Sequence, residues 1–250
     1  MTALPRRAVV TGGSGGIGGA TVDRLVAMGF VVEVWDHEIP RDARPRPEVT
    51  YRAVDVASHD SVRAAAGEHT SLDLLVNAAG VAGARGPIVE QTFEDWDRVV
   101  AVDLSGPFYC SIALYPALVA AAGVVVNVTS IAARVMQEGR AHYAVAKSGL
   151  ETLTRSLGYE WAPVGVRVVA VSPGYTRTPL VDAAIAGGHL DQDFLDSTSR
   201  RGRMATPEEI ARVITALAGD DFGFVTGEVI TADGGGALGW IRDSRTAGGT

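Results

Sequence analysis

The chain is short of the residues that build disulfides, metal sites and nucleic-acid grips, and each shortage closes off a class of function. Cys110 is the only cysteine in 250 residues, so an internal disulfide is impossible and a reducing cytoplasm is the expected setting. No His or Asn arrangement accompanies it, and it reads as a core residue. The histidines (His37, His59, His69, His142, His189) are scattered without metal-ligand spacing, so no metal is expected. Positive charge is scarce: 22 Lys and Arg against 29 Asp and Glu give a net charge of -7, whereas an unaided binder of phosphate backbones displays a basic footprint. No apolar run approaches the roughly 20 residues of a membrane span, and no secretory segment follows Met1. A soluble, cytoplasmic protein without nucleic-acid or membrane partners is expected.

What is present is alternation. Hydrophobic residues make up 47% of the chain, and valine- or leucine-rich runs of strand length alternate with helical patterns almost from end to end. The strands are expected at Ala8 to Val10, Val31 to Trp35, Thr50 to Val54, Leu72 to Val76, Gly123 to Val128, Val166 to Val171 and Glu228 to Thr231. Helices are expected at Ile17 to Met28, Ser61 to Glu68, Thr92 to Ala121, His142 to Trp161 and Pro207 to Ala218. Short apolar strands separated by helices form a parallel sheet covered on both faces. With no internal repeat and no long linker, residues 1–250 are expected to form one doubly wound, Rossmann-type α/β domain with a seven-stranded sheet. Two segments interrupt the rhythm: a proline and arginine loop, Pro40 to Pro47, and the long connection Leu180 to Arg203. Long connections are often binding loops, so 180–203 is the candidate cover for a substrate.

The first strand runs into Thr11-Gly12-Gly13-Ser14-Gly15-Gly16-Ile17-Gly18, and a helix begins at once. Glycines there permit a tight turn and bring backbone N–H groups of Ser14, Gly15, Gly16 and Ile17 toward a pyrophosphate at the positive end of the helix. The strand–turn–helix context is what gives such a motif its specificity. Asp36, eighteen residues after Gly18, closes the second strand, where a carboxylate accepts hydrogen bonds from ribose hydroxyls and repels a 2'-phosphate. NAD is therefore expected over NADP. Against it stand His37, Arg41, Arg44 and Arg46, which can fold back to grip a phosphate. Asp55 and Val56 are placed to flank adenine, and Asn77-Ala78-Ala79-Gly80 ends the fourth strand with small residues that let a ligand approach the backbone.

Tyr143 and Lys147 stand at i and i+4, on one helix face, with Ser130 thirteen residues upstream. A free phenol has a pKa of about 10, and a cation about 4 Å away favours its anion by roughly 4 kcal/mol at an effective dielectric near 20. Such a pair suits proton exchange with an alcohol or carbonyl, with the serine hydroxyl holding the same oxygen. Taken together, Thr11 to Gly18, Asn77 to Gly80, Ser130, Tyr143 to Lys147, and Pro173-Gly174 followed by Thr178 resemble the short-chain dehydrogenase/reductase family over nearly the whole chain. The resemblance implies that Ser130 polarises the substrate oxygen, Tyr143 carries the proton, and Lys147 holds the nicotinamide ribose and tunes the tyrosine. It also implies that Thr176 and Thr178 receive the carboxamide. One position departs: the family's Trp-x6-Asn-Leu is here Trp96 to Asp103-Leu104. The family role rests largely on a backbone carbonyl, which aspartate keeps, but the substitution adds an acid near Lys147 that would partly offset that lysine's effect.

The resemblance places the substrate pocket at Ala132, Arg134, Met136, Gln137 and Tyr175, with Leu180 or Phe194 from the cover. Most are apolar or amphipathic, which suits a small to medium organic alcohol or ketone. Arg134 either binds a carboxylate or sulfonate or faces solvent, the commoner fate of an arginine. His142 points a quarter-turn from Tyr143 and receives no catalytic role. Leu150, Leu153, Leu157, Tyr159 and Trp161 make the last of the long helices apolar over much of its circumference; core packing accounts for this, or else the subunit interface of a homotetramer or homodimer that the resemblance implies. The expected activity is NAD-dependent alcohol dehydrogenation or ketone reduction. The alternative is a non-catalytic NAD-binding regulatory module of the same fold, which would have little reason to keep the serine, tyrosine and lysine together. A sugar epimerase or dehydratase generally needs a larger C-terminal region.

Overall fold

Valines on the central strands are buried on both faces, and this sets the layering. Val9 and Val10 are adjacent and both fully buried, yet Val9 belongs to one apolar cluster and Val10 to the other, because successive side chains of a strand point to opposite faces. The structure is a computed structural model and describes residues 5–39 and 46–239. Its seven strands are β1 Arg7–Thr11, β2 Val31–Asp36, β3 Val49–Ala53, β4 Leu74–Asn77, β5 Val124–Val128, β6 Arg167–Pro173 and β7 Val229–Ala232. All pair in parallel within one sheet of order β3-β2-β1-β4-β5-β6-β7. The doubly wound α/β fold expected from the alternation is therefore present.

Helices cover both faces. α1 (Gly16–Ala27) and α8 (Pro207–Leu217) bury Val22, Leu25, Ile210 and Ile214 against one side. α2 (His59–Ala66), α4 (Gly106–Ala121) and α5 (Ala141–Trp161) bury Val62, Cys110, Leu114, Leu157 and Trp161 against the other. Burial pushes the Cys110 thiol up to about 12, so it is an inert core group. The order of strands reverses at β1, whose neighbours β2 and β4 are reached by chain running in opposite directions across the sheet. That opens a crevice beyond the carboxyl ends of β1 and β4, where ligands of such folds bind.

The long helix expected over Thr92 to Ala121 is divided. α3 (Phe93–Val100) passes into a five-residue π turn, Ala101–Ser105, before α4 begins. Pro107, which has no N–H to donate, sits in the first turn of α4. The whole stretch Phe93–Ala121 is long and apolar enough by length and composition to cross a membrane, which corrects the expectation that no such stretch exists. Its most apolar residues have another use: Cys110, Leu114 and Leu118 are fully buried against the sheet. β4 begins at Leu74, two residues late, because the Leu72 N–H goes to the Ala117 carbonyl instead of the ladder. The connection 180–203 holds two short helices, α6 (Pro179–Ala186, capped by Thr178) and α7 (Gln192–Ser197, capped by Asp191). The loop residues Arg41 and Arg44 lie outside the described residues.

Far from the crevice, Glu33 on β2 ties the sheet edge together. Its carboxylate accepts from Arg52 Nε at 2.6 Å and from Trp35 Nε1 at 3.0 Å, and lies 3.3 Å from His69 Nε2. Burial pushes the acid's pKa up, but contacts to His69 and Trp35 and the charges of His69 and Arg52 outweigh it, holding the group at about 2 against an ordinary 4.5. A depressed acid contributes stability that is present above its unfolded pKa and lost as pH falls toward the folded value. Glu33→Gln should therefore cost on the order of 2 kcal/mol at neutral pH, and the deficit should shrink between pH 4.5 and 2. Denaturant melts across that range test this; a pH-independent deficit would contradict it.

Candidate active site

The crevice is closed at its base by a hydroxyl. Thr11, at the end of β1, accepts the N–H groups of Ala78 and Ala79 at 3.1 Å each, locking the glycine turn to the end of β4. Gly12 has φ +65, and a Cβ there would lie 2.7 Å from Ala79 Cα. A Cβ on Gly18 would lie 2.1 Å from the Gly12 carbonyl, so only glycine lets α1 start this close to the strand. The first turn of α1 carries no acidic residue and no side-chain cap, which leaves its N–H groups available to an anion. Ser14 Oγ is buried without a hydrogen-bond partner among the described residues. The Asp36 carboxylate accepts from Ser14 N at 3.1 Å and His37 N at 2.8 Å, so it stands directly against the turn. These residues fit a dinucleotide: first-turn N–H groups of α1 for pyrophosphate, an orphaned hydroxyl, and a carboxylate for ribose, although the Ser14 N–H expected at the pyrophosphate is instead taken up by Asp36.

The other residues expected around the cofactor are distributed less uniformly. Asp55 is exposed, with Oδ1 accepting the Ala57 N–H at 2.9 Å, while Val56 is buried against Gly106. Asn77 turns away from the crevice: its amide is buried and donates to Asn127 Oδ1 at 2.8 Å, stitching β4 to β5. Arg46 is paired with Asp23 rather than reaching the turn. Gly174, following Pro173 at the end of β6, donates its N–H to the Ala232 carbonyl. Thr176 Oγ1 bonds the Gly174 carbonyl at 3.2 Å. The Thr178 methyl faces Gly16, where a Cβ would lie 3.3 Å from it. The chain after β6 thus returns to the glycine turn.

Ser130, Tyr143, Lys147 and Asp103 are contributed by three segments. Ser130, in extended backbone just past β5, accepts the Ala132 N–H at 3.1 Å and keeps its own O–H proton to donate. Tyr143 and Lys147 lie one turn apart on α5, and Lys147 Nζ sits 5.6 Å from the centre of the Tyr143 ring. The buried ammonium donates to the Val128 carbonyl at 3.1 Å and lies 3.1 Å from Asp103 Oδ2. Asp103 stands in the π turn, is fully buried, and accepts the Val81 N–H through Oδ1 at 2.7 Å. Burial disfavours the ammonium, but the Asp103 carboxylate and the Tyr143 phenol outweigh it, and the Lys147 pKa is raised above its ordinary 10.5.

A cavity of about 1340 Å³ begins at Ile131, the residue after Ser130; Ser130, Tyr143 and Lys147 do not themselves line it. Met136, Gln137 and Tyr175 line it, as does Phe194 of α7, and the Tyr175 hydroxyl reaches Gln137 Oε1 at 3.3 Å. Ala132 does not line it and is buried beneath the short turn Ile131–Ala133. Arg134 points elsewhere, donating to Glu151 Oε2 at 3.1 Å and Thr231 Oγ1 at 3.3 Å. The side chain of Leu180 lies outside what the structure describes. Further walls come from Arg85 to Pro87 after β4 and from Ser197, Thr198 and Arg200 within the expected cover 180–203; the turn Gly235 to Gly239 is the wall the sequence does not suggest. His142 is fully buried, 3.0 Å from Asp95 Oδ2.

A family model described as enoyl-(acyl carrier protein) reductase matches residues 12–236. The chain is 41% identical over 244 residues to cis-4-hydroxycyclohexanecarboxylate dehydrogenase of Sinomonas cyclohexanicum, covering 92% of this chain and 96% of that one. The chain belongs to the short-chain dehydrogenase/reductase family. It is also 30% identical to 2-dehydro-3-deoxy-L-rhamnonate dehydrogenase (NAD(+)) of Sphingomonas sp. (strain SKA58), covering 92% of this chain and 94% of that one. Among solved structures, the ligand-free aldohexose dehydrogenase of Thermoplasma acidophilum superposes with a TM-score of 0.88 at 28% identity, covering 96% and 97%. The protein is thus an oxidoreductase of a family that binds a nicotinamide cofactor and acts on small molecules.

Removing one partner of a buried ion pair leaves an uncompensated charge, at a cost of about 3–5 kcal/mol. Asp103→Ala should destabilise the fold by about that much, and Asp103→Asn by less because it still accepts from Val81. A raised lysine contributes stability that is complete below pH 10.5 and lost as pH rises through its folded pKa. The Asp103→Ala deficit should therefore shrink as pH rises through the folded lysine's pKa. Equal melting of Asp103→Ala and the parent would show that the pair carries no such load.

Proposed function

We propose that this protein transfers hydride between NAD(H) and a small to medium secondary alcohol or ketone, with Tyr143 carrying the proton. The observation that carries this reading is the Lys147 ammonium, buried and fixed between Val128 and Asp103 beneath the Tyr143 ring, with Ser130 adjoining Ile131 of the cavity wall. A dinucleotide held by the glycine turn and Asp36 would supply the hydride acceptor or donor. In the oxidative direction Tyr143 accepts the alcohol's hydroxyl proton, and Ser130 donates a hydrogen bond to the same oxygen as it becomes a carbonyl. Lys147 holds the nicotinamide ribose and keeps positive charge beside the phenol. Asp103 fixes Lys147, and Thr176 and Thr178 receive the carboxamide. The segment 180–203 covers the substrate, supported by Phe194, Ser197 and Arg200 at the cavity wall.

Asp36 supports NAD, since its carboxylate lies against the Ser14 N–H where a 2'-phosphate would bring like charge, and Arg46 is already paired with Asp23. A relative named as NAD(+)-dependent agrees with this choice. The relative named for cis-4-hydroxycyclohexanecarboxylate indicates a ring alcohol of suitable size. A nucleotide-sensing module without turnover would gain nothing from an ammonium buried at this expense. Following nicotinamide absorbance with NAD and NADP separately against secondary alcohols and ketones tests the proposal. Tyr143→Phe should lower kcat by about 10²–10⁴ while leaving NAD affinity within a few-fold. Turnover with NADP alone would overturn the role of Asp36, and unimpaired turnover by Tyr143→Phe would overturn that of Tyr143.

We further propose a homotetramer. Leu150, Leu157 and Trp161 are consumed by the core, but Tyr159 is 85% exposed, and Phe93, Phe108, Ile112 and Val145 on α3, α4 and α5 are exposed too. Exposed large apolar side chains concentrated on three neighbouring helices support an association surface. Sedimentation at micromolar concentration should give about four times the 26.0 kDa chain mass, and Ile112→Arg should reduce it. A monomeric parent would refute this.

A further inference from the structure

We propose that Arg85 and Arg200 form an anion-binding pair that selects alcohols or ketones carrying a carboxylate. The proposal rests on reading the neighbouring Ser130 and Tyr143 site as an alcohol–ketone centre. The two guanidinium groups belong to different walls of one cavity: Arg85 to the loop after β4, Arg200 to the chain after α7. Among the described residues neither forms an ion pair, although Arg52, Arg134, Arg177 and Arg203 are each paired with a carboxylate. In a chain of net charge -7, two uncommitted cations on one cavity are a local reversal of sign. Among the described residues Glu138 is the only acidic one of the lining, so two arginines against one glutamate leave that described wall at +1.

The positions of both arginines are fixed by their backbones. In the Arg85 loop, Ala84 N donates to Asp95 Oδ2 at 2.7 Å, and Arg140 grips the Ala82 and Gly83 carbonyls at 2.6 and 3.0 Å. Burial and the nearby Arg85 charge both lower the Arg140 pKa, so this side of the cavity is already crowded with positive charge. Arg200 donates its N–H to the Gly234 carbonyl at 3.1 Å, and its stem passes over Gly235, where a Cβ would lie 3.6 Å from Arg200 Cγ. Ile131, Val135 and Met136 supply an apolar wall of the same cavity. The cavity therefore fits a molecule with an apolar body and one anionic end, and a guanidinium engages a planar carboxylate through two parallel hydrogen bonds. Each such contact is worth about tenfold in affinity.

The test compares matched probes in the NAD-loaded protein. Turnover is measured with cis-4-hydroxycyclohexanecarboxylate and its primary amide, and binding is measured calorimetrically with the unreactive cyclohexanecarboxylate and cyclohexanecarboxamide. The acid should exceed the amide by tenfold or more in both assays (about tenfold per contact). Arg85→Gln and Arg200→Gln should each cut that acid-to-amide ratio by about tenfold; both side chains are exposed, so the variants should melt like the parent. Equal use of acid and amide overturns the proposal while leaving the alcohol–ketone reading intact. A ratio unchanged in both variants, or preference for the coenzyme A thioester over the free acid, also overturns it. If no alcohol or ketone is turned over with either nucleotide, the alcohol–ketone reading fails, and calorimetry alone decides the pair: preference for the acid upholds it, and no binding or equal binding sinks it.

Discussion

The ion pair of Asp103 and Lys147 is the contact on which the site's geometry depends. Both groups are out of water, and two buried charges are tolerated only when each is fully engaged. The engagement recruits four separate segments: the π turn supplies Asp103, the loop after β4 supplies the Val81 N–H, the end of β5 supplies the Val128 carbonyl, and α5 supplies Lys147. Gly80 passes close enough that a Cβ would sit 3.2 Å from Asp103 Oδ2 and 3.5 Å from Lys147 Nζ. The i, i+4 spacing on α5 then places Tyr143 relative to that fixed point. A π turn is a common device for presenting a functional side chain from within a helix, and here it turns a carboxylate inward where regular helix would continue past.

The nucleotide crevice depends on a different economy, in which small size matters more than charge. Thr11 joins the two strands on either side of the reversal in sheet order, and glycine at positions 12 and 18 removes the side chains that would fill the space between turn and helix. The outcome is a set of unsatisfied N–H groups held by a rigid frame, with Asp36 at one end. The two constructions meet because β4 and β5 are neighbours: the strand that ends beside the glycine turn leads into the loop that donates to Asp103, and β5 leads to Ser130.

Local patterns made much of this legible in the sequence. A glycine turn between strand and helix, an acid closing the second strand, and a tyrosine and lysine on one helix face are signals carried by neighbours in the chain, and the structure brings them to one end of the sheet. Properties set by distant partners were not legible. Arg134 lies in the right segment, but Glu151, seventeen residues later on α5, draws it away from the cavity. Asn77 belongs to a motif at the crevice, yet its side chain faces inward because Asn127 on the adjacent strand offers an acceptor. The break at Ala101–Ser105 leaves no mark in the apolar helical pattern, which continues through it, and only the proline at 107 lies near the place.

The cavity shows why substrate choice is the least readable property of such a chain. Its walls come from the loop after β4, the turn after β5, the α7 region and the turn after β7, segments that are far apart in sequence and share no spacing rule. Loops are where a scaffold of this kind can change its ligand without disturbing its core. Yet the loop carrying Arg85 is tied to the interior. Asp95, which holds the Ala84 N–H, also lies 3.0 Å from the fully buried His142, the residue immediately before Tyr143. A Cβ on Gly83 would lie 2.1 Å from His142 Nε2, so the loop closes directly onto that ring. The cavity wall that carries Arg85 and the helix that carries Tyr143 are therefore registered through Asp95 and His142 and through Arg140, and a change in either is felt by the other.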